Sequence, residues 1–173
     1  MNGYTLILDA FWVSNKSFPT IQPDVSEVGK IFHEYYSGPA RYLGWMDLVL
    51  LKDIIKKNNI THIILQNLDT LGKIAQKTKT VKVCVAYEYH HFVFNSISPD
   101  KKLVHCKPIY TDAVFGGWES SPDDFEISIR AKSYMRYLLI HTHVDSITCL
   151  TNNVKVNARW NEAGHVVFDT EPN

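Results

Sequence analysis

The chain has 173 residues, 45% of them apolar and 12% aromatic, which suits a soluble globular protein with room for a sizeable core. Eighteen basic residues balance eighteen acidic ones, so no net field draws it to nucleic acid or to a membrane surface. The longest apolar runs, Leu48 to Leu51 and Val83 to Ala86, fall far short of the roughly 20 residues that cross a bilayer.

Residues 4 to 13 are rich in Leu, Ile, Phe and Trp and predict a strand. No basic region precedes that run, so "MNGYTLILDAFWV" does not read as a secretory signal but as a native start, and the cytoplasm is the expected location. Pro19 and Pro23 impose an irregular segment, after which Asp24 or Ser26 caps a short helix through Tyr36, ended by Gly38 and Pro39. Trp45, Leu48, Val49, Leu51, Ile54 and Ile55 recur with helical spacing and predict a helix over 45–57. Asp47 in its first turn and Lys56 and Lys57 in its last suit the helix dipole, and Asn58 and Asn59 stop it.

"THIILQ", at 61–66, is a short β-rich run of the buried kind, and it leads into Gln66, Asn67 and Asp69 as a polar strand end. A further strand is expected over 81–89, with "HHFVFN" as its hairpin partner or its continuation, and another over 103–111. "FGGW", at 115–118, is a turn, and "SPDD", at 121–124, starts a helix from about 126 to 141. Strands at 146–150, 154–160 and 165–169 complete an α/β (α+β mixed) fold with a mixed sheet, expected as one domain over residues 1–173.

Three widely spaced cysteines, Cys84, Cys106 and Cys149, predict reduced core thiols. The pair His141 and His143, with His90-His91 and His105-Cys106 elsewhere, lacks the spacing of a closed zinc motif, and His141 at a helix end is better placed to meet the helix dipole. No phosphate loop, dinucleotide fingerprint, nucleophile elbow or zinc-protease motif is present, and Asp123-Asp124 read as a solvated helix start. No residue receives a catalytic or metal-binding role.

Several blocks together carry more. "RYLGWMDLVLLKDIIKKNNITHIILQNLDTL" at 41–71, "VKVCVAYEY" at 81–89, "CKPIYTD" with "GGW" within 106–118, and "AKSYMRYL" at 131–138 resemble, in order and spacing, the C-terminal part of adenylosuccinate synthetase. "SFPT" at 17–20 is similar to that family's F-P-T segment. The resemblance implies GTP-dependent joining of aspartate and IMP with magnesium, in purine synthesis. It places Asp69 at the family's guanine-reading carboxylate, Asn67 at a lysine that packs along the base, and Asn152 in the turn that closes the base pocket. It places Arg41 at the one surviving arginine of an R-x-R element, and Tyr36, Ser37 and Gly38 where a threonine-rich loop grips aspartate. Leu150, at a serine of the pocket turn, removes a hydroxyl.

The family's G-D-E-G-K-G loop, catalytic aspartate and histidine, magnesium ligands and most IMP contacts do not occur in these 173 residues. Phosphoryl transfer needs that positioning and charge stabilisation, so catalysis and magnesium binding by this chain alone are not expected. The resemblance leaves GTP as the candidate ligand. Three functions follow: a non-catalytic module that binds a protein partner or itself, with weak purine binding; a subunit completing a split synthetase with a separate N-terminal chain; or a non-functional relic. Surface left where the absent half would pack makes self-association an expectation.

Overall fold

The computed structural model describes residues 3–23, 25–40, 42–97, 102–119, 128–151 and 154–172. The main sheet has five strands in the order β1 (Tyr4–Asp9), β5 (Ile60–Gln66), β9 (Ser146–Leu150), β10 (Val154–Trp160) and β11 (Val166–Pro172). The first three are parallel and the last two antiparallel, so the sheet is mixed, as expected. A second sheet runs β4 (Met46–Asp47), β6 (Thr80–Tyr89) and β7 (Phe92–Phe94), with β8 (Lys107–Phe115) on the other side of β6. A two-stranded ribbon joins β2 (Trp12–Ser14) to β3 (Tyr42–Gly44).

Side chains alternate across the main sheet. Ile63, Leu65, Ile147, Cys149, Val156 and Ala158 are buried on one face, and four helices contribute to the core they enter. Those helices are α1 (Glu27–Tyr35), α2 (Leu48–Asn58), α3 (Leu68–Thr78) and α4 (Ile129–Thr142).

Several elements depart from the sequence reading for identifiable reasons. The strand expected over 4–13 breaks at Ala10 and Phe11, whose side chains are fully buried, and resumes as β2 in another sheet. The α2 helix starts at Leu48 rather than residue 45, because Met46 and Asp47 pair with Val83 and Cys84 as a strand. Asp47 is therefore the N-cap, accepting from the Leu50 amide at 3.0 Å, and not a first-turn residue. Asn59 ends α2 in the left-handed region. Ser26 caps α1 by accepting from Gly29 N–H, whereas Asp24 lies outside the described residues.

The strand expected over 103–111 is a 3₁₀ turn at Leu103–His105 followed by β8. His90 and His91 form a two-residue hairpin loop, both with positive φ, so β7 is the partner of β6 and not its continuation. Strands β9 and β10 have the expected bounds, while the last strand runs on to Pro172. Ser128 caps α4 at the Arg130 amide, and the "SPDD" start lies outside the described residues.

The α3 helix is absent from the sequence reading, and it relocates Asp69. The strand stops at Gln66, Asn67 turns the chain with a φ of 58°, and Asp69 is the second residue of a helix rather than part of a strand end. The GGW segment packs on this helix. Trp118 Nε1 donates to Leu68 O at 3.0 Å, and a Cβ on Gly72 would lie 2.5 Å from the Trp118 indole. Gly116 has a φ of +85°, as the expected turn requires.

Candidate functional site at the carboxyl ends of the parallel strands

Strands β1, β5 and β9 end side by side. Asp9 is opposite Gln66 in the register, and Leu65 is opposite Cys149. Ligands of open α/β sheets bind at this end of the strands, where loops leave the sheet.

Asn67 occupies the N-cap position of α3, yet its side chain makes no capping bond. Its Nδ2 donates instead to Asp9 Oδ1 at 2.5 Å, tying together residues 58 apart in the chain. Burial raises the Asp9 carboxyl above its ordinary value, and the bond from Asn67 partly offsets this. Tyr36 adjoins the pair: burial, then the Asp9 charge, push its phenol up. The Tyr36 ring meets Phe11 edge to face at 5.7 Å, and a Cβ on Gly38 would fall 2.2 Å from its hydroxyl oxygen. Gly38 thus lets the Tyr36 ring pass over the chain.

Asp69 lies on the other side of Asn67, half-buried in the first turn of α3, where the helix N-terminus favours negative charge. Its charge reaches β9: burial first, and Asp69 second, push the Cys149 thiol up to about 12. Beyond Cys149, the Leu150 side chain is 54% exposed. Thr151 closes the next turn tightly, its amide donating to Val154 O at 2.9 Å while its hydroxyl accepts from Val154 N–H at 3.0 Å.

Of the sequence-derived positions, Asn67, Asp69 and Gly38 gather at this end of the sheet, with Ser37 in the same loop as Gly38. Arg41 and Asn152 lie outside the described residues. Asp9 was not singled out from sequence, although an acidic residue closing an apolar strand is a legible signal. Among the described residues no group of three or more His, Cys, Asp or Glu side chains is placed to hold a metal ion. His141 falls in the last turn of α4, but partial burial, Lys52 and His143 hold its pKa below the usual value, which disfavours the cation the dipole argument needs. His143, in the left-handed region, is the residue that ends the helix.

The interior beneath α2 holds a second polar group. Asp47 is fully buried, its carboxylate accepts from the Tyr87 hydroxyl and the Leu50 amide, and burial raises its pKa. Cys84 is pushed up to about 12 by burial and then by Asp47. A thiol held protonated is a poor nucleophile, so this cluster serves the fold. All three cysteines are free and buried, as the sequence led us to expect.

Fold and site define a mixed α/β protein with polar residues gathered at the carboxyl ends of a parallel strand trio. A family model of adenylosuccinate synthetase matches residues 12–157, most of the chain, and the protein belongs to that family. The adenylosuccinate synthetase of Clostridium acetobutylicum is 33% identical over 105 residues, 58% of this chain and 23% of its own length. That of Thermoanaerobacter sp. is 36% identical over 90 residues, 50% of this chain and 20% of its own. That of Clostridium novyi is 33% identical over 111 residues, 60% and 25% of the respective chains. This chain therefore spans a quarter or less of these relatives. The solved structure of a fully ligated adenylosuccinate synthetase from Plasmodium falciparum shares the fold with a TM-score of 0.65 and 19% identity, covering 85% of this chain and 37% of that one. No helix among the described residues is long and apolar enough to cross a membrane.

Proposed function

We propose that this chain is a non-catalytic, base-recognising module of synthetase descent that binds a guanine nucleotide weakly through Asp69. One observation carries the reading: Asp69 is held in the first turn of α3, beside the carboxyl end of β9, where its two oxygens can accept from the ring N–H and the exocyclic amine of guanine. Adenine presents no such pair of donors. The site is a weak one, because Leu150 replaces a hydroxyl and Asn67 is engaged with Asp9 instead of lying along a base. Among the described residues at this end of the sheet no phosphate-binding loop accompanies Asp9 and Asp69, and phosphoryl transfer needs that positioning, so the proposed role is binding and not ligation.

Calorimetric titration with GTP, GDP and ATP tests this. Saturable binding of GTP and GDP but not ATP is expected, with loss of at least tenfold in affinity in Asp69→Ala and an unchanged far-ultraviolet dichroism spectrum. No heat at millimolar ligand, or equal binding of ATP, overturns it.

A second reading is favoured by the same position of Asp69, beside the carboxyl end of β9. In it, a separate chain supplies the phosphate-binding part and this one completes the base pocket. Ligase activity on mixing with an N-terminal synthetase half, lost in Asp69→Ala, would establish it, and inactivity of the mixture would dismiss it.

A further inference from the structure

The sheets have several edges, and they are not alike. Strand edges with unpaired N–H and C=O groups recruit other strands unless charge, proline, a bulge or shortness prevents it. The β11 edge carries Asp169, Glu171 and Pro172. The β8 edge carries Lys107, Pro108 and Asp112 and has two register irregularities against β6. The β7 edge is three residues long. The β1 edge has no charge or proline from Thr5 to Leu8, and its one register irregularity against β5 lies at the Tyr4/Thr5 step, ahead of Leu6 to Asp9. Among the described strands β1 pairs only with β5, and Ile7 on it is 60% exposed.

The backbone groups facing this edge can be assigned. The amides of Tyr4 and Ala10 donate to Asn59 and Gln66, on the β5 side. Alternation along the strand then turns the N–H and C=O groups of Thr5, Ile7 and Asp9 to the free edge.

We infer that the free edge of β1 pairs antiparallel with β1 of a second copy of this chain, across a two-fold axis at Ile7. Self-pairing about a two-fold axis is necessarily antiparallel, and the residue on the axis faces itself. With Ile7 there, Thr5 faces Asp9 of the second copy, so every outward-facing residue from 5 to 9 exchanges both its hydrogen bonds. On the core face Leu6 meets Leu8 of the second copy, and on the other face the two Ile7 side chains cover each other. The Thr5 hydroxyl can donate to the opposite Asp9 carboxylate, and the strand's one charge never faces its like. An axis at Asp9 would set two carboxylates against each other, which costs stability. An axis at Thr5 or Leu6 would leave Asp9 outside the paired strands, and one at Leu8 would set Ile7 against the Asp9 carboxylate and leave Thr5 unpaired. Charge and side-chain face thus select a register in which the strand complements itself.

Sedimentation velocity on the 173-residue chain tests the pairing. A dimer at tens of micromolar is expected for the native sequence, and a monomer for Ile7→Lys, which sets two ammonium groups together at an exposed position that folding does not need. Residues opposite each other in a hydrogen-bonded antiparallel pair have Cα atoms about 5.5 Å apart, within disulfide range. Ile7→Cys should therefore form an intermolecular disulfide on mild oxidation, while Thr5→Cys, whose opposite residue is Asp9, should not. The three native cysteines are buried and do not compete. A monomeric native chain overturns the inference and leaves the edge to a strand of another protein. A dimer indifferent to Ile7→Lys overturns the interface, and cross-linking through Thr5→Cys in place of Ile7→Cys overturns the register.

Discussion

Two carboxylates, Asp47 beneath α2 and Asp9 at the end of β1, are both raised in pKa by burial, but their surroundings differ. Asp47 is fully buried and held by a helix amide and by the Tyr87 hydroxyl, each of which also gains its own partner. Asp9 is half-buried and bonds one amide, that of Asn67, which gives up the helix-capping position to reach it. A group with several reciprocal partners is part of the framework. A group with one partner, at the mouth of a sheet, can exchange that partner for a ligand. The difference favours the strand ends over the interior as the place for the proposed binding, although the interior holds the more strongly perturbed side chains.

The comparison breaks most visibly if Asp47 proves dispensable. Asp47→Ala removes the cap of α2, worth about 1 kcal/mol, and leaves the Tyr87 hydroxyl buried without its acceptor, at about 1–3 kcal/mol. Urea unfolding should show a loss of about 2–4 kcal/mol with unchanged slope, and pairing the change with Tyr87→Phe should recover part of it. A loss below about 1 kcal/mol would place Asp47 in the same class as Asp9.

Next in size is Gly72→Ala. A methyl group there would lie 2.5 Å from the Trp118 indole, which is 4% exposed and bonded to Leu68 O. Overpacking of this kind costs about 1–3 kcal/mol, and here it also pushes α3 away from the 116–118 turn. The same variant bears on the site, because α3 carries Asp69: nucleotide affinity should fall together with stability, and a stable variant with native affinity would show that the GGW contact does not position the helix.

The GGW contact also explains what the sequence hid. The α2 helix and strands β5, β6, β9 and β10 were legible from periodicity and β-branched content alone. The α3 helix was not, since Asn67 reads as the polar end of a strand and a glycine stands at the helix centre, both of which hide a helix in a linear reading. Each has a tertiary cause: Asn67 bonds Asp9, and Gly72 admits Trp118. The apolar spacing Leu68, Leu71, Ile74 and Ala75 was present, but local signals outweighed it. Asn67 and Asp69 were legible from the residues as a polar strand end able to meet a ligand, and their guanine-reading role came only through the family resemblance. Asp9 lies 58 residues from Asn67, and no local pattern reports such a pairing.

The smallest effect, and the sharpest test of the contrast, is expected for Asp9→Asn. The substitution keeps an oxygen that can accept from Asn67 and removes the ionisation. In the native chain the Asp9 pKa is raised in the folded state, so the folded protein holds that proton more tightly than the unfolded one. Its contribution to stability is therefore full below the unfolded value near 3.8 and is lost as pH rises through the folded value. Asp9→Asn should abolish that loss and flatten the stability profile above pH 4, gaining no more than about 0.5 kcal/mol at pH 7, the usual scale for a partly exposed site. Thermal melts of both proteins from pH 4 to 7 would show the curves diverging upward in pH. Curves that stay parallel would mean that Asp9 is ionised as readily folded as unfolded, and that the strand end is already as open to solvent as a bound ligand would require.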